Sequence, residues 1–347
     1  MFKKKIGIYA LTFAMASIGI TGCSSADPSS SSDSLSSSIT EEADQSDNKA
    51  SSASFSVVCT IFPEYDWVKE IIGDHSNNME LTYLLDNGID LHSYQPTADD
   101  MMKISTCDLF VYVGGESDEW VEDALADAQN KDMKVVSLMD VLGDSAKEEE
   151  LKEGMQGEEE EEEEEGEEEI EYDEHVWLSL KNAKVLCAEI EKNIEAIDPA
   201  NAADYKANLD SYTAKLSELD GKFQKLVDGS SVKALVFGDR FPFRYLVDDY
   251  GLDYYAAFIG CSAETEASFE TIAFLADKVK ELDCDTIFTL ENSDKTIAET
   301  IISTSGKDAE IAELNSLQSV SKDDISDGAS YISLMQKNYD VLADVLK

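Results

Sequence analysis

Histidine is scarce in this chain, with three in 347 residues, and two of them stand beside acids. His92 lies in Asp90-Leu91-His92-Ser93-Tyr94-Gln95-Pro96, and His175 in Asp173-Glu174-His175-Val176-Trp177-Leu178-Ser179. Imidazole is the commonest side-chain ligand for zinc and related divalent cations, and carboxylates complete such sites. The chemistry expected of these residues is capture of a divalent metal ion. His75, in Gly73-Asp74-His75-Ser76-Asn77, has turn-forming neighbours and reads as a solvated loop residue.

Acids surround these histidines in excess. Asp and Glu number 74 against 27 Lys and Arg, a net charge of −47. Such a chain has no basic face for phosphates, so nucleic acid is not an expected partner. The charge favours solubility and draws cations. Glutamates from Glu158 to Glu169, broken only by Gly166, stand just ahead of His175. A block of that kind is expected to be a disordered, self-repelling loop, with weak binding of hard cations as a by-product.

Six cysteines are present: Cys23, Cys59, Cys107, Cys187, Cys261 and Cys284. None shows a Cys-x-x-Cys spacing, which argues against a zinc site built from thiolates. Most of those after Cys23 read as small buried apolar residues. Cys261, in Gly260-Cys261-Ser262-Ala263-Glu264, is the one in a polar, loop-like setting.

The N-terminus carries an address. Met1-Phe2-Lys3-Lys4-Lys5 is basic, Ile6 to Ile20 is apolar, and Thr21-Gly22-Cys23 follows. This reads as a secretory signal, too short for a lasting membrane span. Ile20-Thr21-Gly22-Cys23 resembles a lipobox, which implies lipidation of Cys23 and anchoring by acyl chains. Ser24 to Ser54 is serine-rich with few apolar residues, and is expected to be a flexible tether.

The elements that must position the histidines come next. Phe55–Phe62, Met79–Leu85, Leu109–Val113 and Lys134–Leu138 read as strands, alternating with helical patterns that carry Trp67, Val68, Ile71 and Ile72 on one face, then run from Ala98 to Ile104 and from Glu119 to Ala128. Thr97 is an expected N-cap. That alternation implies a parallel sheet, whose ligands sit beyond the carboxyl ends of the strands. His92 and Gly114-Gly115 both occupy such ends. A helix from Leu180 to Ile197 follows, and Asp198-Pro199 reads as the start of the next. Tyr205, Leu209, Tyr212, Leu216, Leu219, Phe223 and Leu226 recur at three- and four-residue steps, the stripe of one long amphipathic helix. A second alternation comprises strands at 232–237, 254–259 and 286–290 and helices at 243–250, 267–282 and 331–346. The fold class expected is α/β, with two parallel-sheet lobes linked by a long rigid helix.

These features together resemble the substrate-binding lipoproteins of ABC importers for zinc or manganese. The resemblance rests on the lipobox and tether, the two histidine segments, and Asp198-Pro199-Ala200-Asn201 opening a long helix between two α/β lobes. It covers Phe55 to Lys347 and implies a metal cleft between the lobes. It also implies that His92 and His175 are the first and second ligands. The glutamate run stands where zinc members often carry a histidine-rich loop. The third family ligand stands ten residues before the aromatic residue of a Tyr-Gly-Leu; here that place holds Arg240, and the neighbouring Asp239 is the substitute. The fourth is an acid in a Leu-Asp-Pro-Leu stretch; Leu314-Asn315-Ser316-Leu317 matches it, with Asn315 in the acid's place. Glu264, Glu266 and Glu291 are further carboxylates for the cleft, or partners for Arg240.

The layout expected is a signal peptide at 1–22, a tether at 23–54, an N-terminal lobe at 55–198 with an acidic insert at 148–171, a linking helix at 199–228 and a C-terminal lobe at 229–347. The function expected is a monomeric receptor on the outer face of a bacterial cell membrane. It is not an enzyme. It binds zinc, with manganese as the alternative, through His92, His175, Asp239 and Asn315, and passes the ion to an ABC permease and its ATPase. It carries no Gly-x-x-x-x-Gly-Lys-Ser/Thr loop and so is not that ATPase itself. Two readings from other classes stay open: a secreted metallohydrolase with Glu174 as base, and a surface adhesin without a tight metal site.

Overall fold

The computed structural model describes residues 55–157, 171–262 and 266–347. The signal segment 1–22, the lipidation residue Cys23, the tether to 54, the glutamate run and Glu264 lie outside the described residues. The β-branched and aromatic run Phe55–Cys59 is β1, and it becomes a central strand. After it come α1 (Phe62–Ile72), β2 (Met79–Tyr83), α2 (Ala98–Thr106), β3 (Leu109–Tyr112), α3 (Trp120–Ala126), β4 (Lys134–Ser137) and α4 (Leu138–Leu142). The strands form one parallel sheet in the order β2-β1-β3-β4, with Val57 opposite Leu81 on one side and Leu109 on the other.

Local chemistry closes the turns of this sheet. Glu64 Oε2 accepts hydrogen bonds from the backbone N–H of Thr60 (2.9 Å) and Ile61 (3.2 Å), pinning the β1–α1 junction, where Pro63 fits the first helical turn. Thr97 caps α2 in a capping box with Asp100, as its type and place predict. Asp118 Oδ2 accepts from the N–H groups of Val113 and Gly114, both at 3.0 Å, and so holds the loop beyond β3.

Two long helices follow, α5 (Leu180–Ile197) and α6 (Ala202–Gly229). At about 1.5 Å per residue, the 28 residues of α6 span roughly 42 Å. Its stripe of Tyr205, Leu209, Tyr212, Leu216, Leu219 and Phe223 is buried, packed against α5 and α1. Asp198-Pro199 does not start this helix. Asn201 is its N-cap, and Asp198 Oδ2 instead accepts from Asn201 Nδ2 and the Tyr205 hydroxyl, both at 2.7 Å, folding the connection between the two helices.

The second half is more broken than its sequence suggests. It contains β5 (Ala234–Val236), β6 (Arg240–Phe241), α7 (Arg244–Tyr250), β7 (Asp253–Tyr255), β8 (Phe258–Ile259), α8 (Phe269–Glu281), β9 (Thr286–Leu290), α9 (Thr296–Ser305), β10 (Glu310–Leu314), α10 (Lys322–Ser326) and α11 (Tyr331–Val345). The strands pair in parallel as β5–β7, β6–β8 and β9–β10, and a bridge from Phe237, just after β5, to Phe288 of β9 links the first of these pairs to the last. The expected strand 254–259 is thus split at Ala256-Ala257 into β7 and β8.

One apolar core runs from Phe55 to Leu346 through both halves and the long helices, and a second gathers Val236, Phe258, Leu275, Val279, Ile287 and Ile301. Trp177 ties the segment after His175 to the second half. Its ring N–H donates to the Ser316 carbonyl at 2.8 Å, and its own carbonyl accepts from the Tyr331 hydroxyl at 2.6 Å. Among the described residues no helix is long and apolar enough to cross a membrane.

Candidate metal centre

Carboxyl ends of strands deliver the site, as a parallel sheet requires. The chain leaving β2 makes a single tight turn at Leu91–Ser93, and Asp90 caps it by accepting the His92 N–H at 3.1 Å. Beyond β3, Gly114 and Gly115 adopt φ of +89° and +88°, a region open to glycine. A side chain on Gly115 would also meet Glu174 Oε1 at 2.4 Å. The turn brings Ser117 under the His92 ring. Beyond α4, the chain returns through an antiparallel bridge between Glu148 and Tyr172, and Asp173 then leads into His175.

His92 Nε2 and His175 Nε2 are 3.2 Å apart. The outer nitrogens of both rings are already engaged. His175 Nδ1 is 2.9 Å from Asp173 Oδ1, which also accepts the His175 backbone N–H at 2.8 Å. A carboxylate only accepts, so Nδ1 carries a proton, and Nε2 is the nitrogen turned toward His92. His92 Nδ1 is 2.7 Å from Ser117 Oγ and 3.7 Å from Glu174 Oε2. Glu174 Oε1 in turn accepts the Ser117 N–H at 2.9 Å. Two ring nitrogens facing each other at this distance need a proton or a cation between them. Two nitrogens bound to tetrahedral zinc at about 2.0–2.1 Å stand roughly 3.3–3.4 Å apart. The observed spacing is close to that.

Burial sets the protonation of the pair. His175 is fully buried, and burial opposes its charge, but Asp173 outweighs this and holds its pKa above the usual imidazole value. Burial, helped by His175 and Arg240, pushes His92 down to about 3, so its ring is neutral at neutral pH and able to ligate. Glu174 faces the Nδ1 edge of His92, away from the Nε2 pair. That position orients the ring.

Cys261 completes the cluster. One ligand atom each from His92, His175 and Cys261 all lie within 4.8 Å of one another. The cysteine follows β8, so it comes from the second half of the molecule. Gly260 makes the approach possible, because a Cβ there would meet His175 Cε1 at 2.9 Å and the Phe241 carbonyl at 3.0 Å.

The other predicted ligands make different contacts. Asp239 accepts the Arg240 N–H at 2.9 Å with one oxygen and the Leu290 N–H at 3.1 Å with the other. Asn315 Oδ1 accepts the Leu317 N–H at 2.9 Å, supporting a leucine at φ +64°, while Asn338 clasps the Asn315 backbone from both sides. Glu291 accepts the N–H and hydroxyl of Ser316 at 2.7 and 2.5 Å. Arg240 pairs with Asp90, a partner the sequence had not singled out. Asp90 and Arg240 line a cavity of about 420 Å³ with Asp239, Ser262 and Asn292; the two histidines are not among its lining residues. His75 is not merely solvated. It pairs with Asp204 at 2.9 Å and stacks edge-on against Tyr205 of α6.

Sequence reasoning did not identify Ser117 or the role of Asp173 as ring-holders. The signal for Asp173 was its place two residues before His175; Ser117 had none beyond the Gly-Gly turn ahead of it. Cys261 stood out only as the one cysteine in a polar loop.

Comparison with known proteins shows the family. A family model described as "Zinc-uptake complex component A periplasmic" matches residues 57–345. The zinc-binding lipoprotein AdcA of Streptococcus pneumoniae is 32% identical over 298 residues, covering 86% of this chain but 57% of that relative, so the chain spans little more than half its length. The high-affinity zinc uptake system protein ZnuA of Bacillus subtilis is 33% identical over 291 residues, 84% of this chain and 87% of that protein. The Zn(II)-bound ZnuA-like domain of the S. pneumoniae AdcA superposes with a TM-score of 0.65 at 28% identity, covering 84% of this chain and 98% of that domain.

Proposed function

Because this chain belongs to the zinc-uptake complex component A family, we propose that it is a receptor that captures zinc outside the cell and hands it to an ABC permease driven by a partner ATPase. The observation that carries this is the facing pair of imidazole nitrogens, His92 Nε2 and His175 Nε2, at 3.2 Å. Each ring is held from its far side, by Ser117 and Asp173, so the pair is organised before any ion arrives. Preorganised donors lose little freedom on binding, which favours tight capture.

The layout serves the task. The histidines precede the linking helix α6 and Cys261 follows it, with that helix, Ala202–Gly229, as a stiff strut between the two lobes. A cation in this place joins the lobes. The segment ahead of Phe55 fits a tether, and lipid on Cys23 would keep the receptor at the membrane surface. Asp239 and Asn315 act here through the backbone groups they accept from, which shape the loops around the cleft.

Support against a hydrolase comes from Glu174, one of whose oxygens accepts from Ser117 while the other lies 3.7 Å from the Nδ1 edge of His92. Competition of the metal-stripped protein against a chromophoric chelator tests the reading. One tight zinc site per chain is expected, and its absence would overturn the receptor assignment.

A further inference from the structure

We infer that Cys261 is the third metal-binding group of this centre and that its sulfur makes the site select zinc over manganese. The inference rests on the receptor reading above and adds the origin of its selectivity.

Three observations converge on this sulfur. The first is position: its Sγ lies with one ring nitrogen from each of His92 and His175 in one group, every atom within 4.8 Å of the others. Sulfur and nitrogen bound to one tetrahedral zinc stand about 3.6 Å apart, given bond lengths near 2.3 and 2.05 Å. A modest closure of the loop reaches that geometry.

The second is how the loop is held. Glu149 Oε1 accepts the Cys261 N–H at 3.4 Å, and Glu149 sits beside the Glu148–Tyr172 bridge, on the same stem that carries Asp173. One stem thus positions both the ring of His175 and the cysteine opposite it. The third is Gly260, the residue that lets the backbone pass against the His175 ring. The other described cysteines are placed elsewhere: Cys59, Cys107 and Cys187 are buried in the core, and Cys284 follows α8.

Three of the oxygen donors that the sequence offered are engaged. Asp239, Asn315 and Glu291 all accept backbone N–H bonds, and Arg240 brings no lone pair. Two imidazoles and a thiolate suit zinc, whereas manganese prefers oxygen ligands. On binding, the metal–sulfur bond forms as the thiol proton leaves to solvent.

Cobalt(II) reports the bond directly. The full-length, metal-stripped protein with one equivalent of cobalt should develop an intense near-ultraviolet sulfur-to-metal charge-transfer band, absent in Cys261→Ser. In the same variant zinc affinity should fall by more than the roughly 10- to 100-fold that loss of an outer hydrogen-bond partner costs. Manganese affinity should change less, so the zinc-to-manganese ratio drops. The band in the unmodified protein needs no variant, so poor folding of Cys261→Ser cannot hide the answer. Tight cobalt and zinc binding without the band, or a band that survives in Cys261→Ser, would overturn the role of Cys261 and leave the receptor standing. No tight binding at all would remove both.

Discussion

Arg240 Nη2 lies 2.8 Å from Asp90 Oδ2, so an ion pair joins the second half of the molecule to the loop that carries His92. The same Asp90 accepts the His92 backbone N–H. Arg240 stands where the family resemblance implies a metal ligand, yet it serves the site by gripping the ligand loop. Both side chains are about four-fifths shielded, so the pair is worth less than a fully buried one. Arg240→Ala should destabilise the protein by about 1–2 kcal/mol, below the roughly 3–5 expected on breaking a fully buried pair. Asp90→Asn should cost a similar amount, and the double variant should cost less than the sum. Denaturant titration of the three variants measures this; strict additivity would mean that the pair does not couple the halves.

His92→Ala and His175→Ala should each remove most of the zinc affinity, because each deletes a donor from the facing pair. His75→Ala should leave affinity unchanged and cost at most about 1 kcal/mol of stability, since its bond to Asp204 is exposed. Chelator competition across the three proteins decides it. Equal losses in all three would sink the assignment of the centre.

Asp173→Asn and Ser117→Ala should weaken zinc by about 10- to 100-fold without removing the site, because they hold the rings and do not touch the ion. Loss of Asp173 should be the larger, since it fixes both the ring and the backbone of a fully buried histidine. An affinity unchanged in both would show that the rings need no support.

Buried carboxyls predict a pH dependence of the metal-free fold. Burial, with the charge of Asp118 adding, pushes Glu64 up to about 8, and burial with the charge of Glu174 pushes Asp118 up to about 7. An unfolded carboxyl titrates near 4, so between there and the folded values the native state holds protons that the unfolded chain has lost. The contribution of these groups to stability should therefore be complete below about pH 4 and fall as the pH rises toward 8. The large negative charge acts in the same direction. Glu64→Gln separates the two: it should flatten the fall in melting temperature between pH 5.5 and 8. An unchanged slope would mean that Glu64 is not the group responsible.

Deleting Glu158 to Glu169 should leave the tight site intact and remove only weak cation binding. The stem at Glu148 and Tyr172 precedes and follows the run, and it already closes by the backbone bond from Glu149 to Glu171 at 2.9 Å. Loss of the tight site in the deletion would give the run a direct part in capture.

Much of this was legible in the sequence for physical reasons. The stripe from Tyr205 to Phe223 has the helical period over five turns, so α6 announces itself; Leu180–Ile197 is as clear. The inner strands β1 and β3 are apolar because both faces of a parallel sheet are covered, while the edge strands β2 and β4 keep exposed positions such as Glu80 and Lys134. The second half reads less well. Thr296–Ser305 is rich in β-branched residues yet folds as α9, because Ala298 and Ile301 bury one helical face against the second core. Glu310–Leu314 alternates too weakly to signal a strand, being paired only to β9. At the centre, His92 and His175 were marked by neighbouring acids, but their convergence and the arrival of Cys261 depend on contacts between segments 83 or more residues apart. No local pattern records such contacts. Asp239 and Asn315 had the right chemistry for a metal, and only the fold reveals that their oxygens meet backbone N–H groups.

The most direct measurement is a calorimetric titration of the metal-stripped protein with zinc, in parallel with His92→Ala. One tight site per chain that vanishes in the variant is the result predicted. A protein that binds no zinc tightly, or that binds it equally well without His92, would contradict the account.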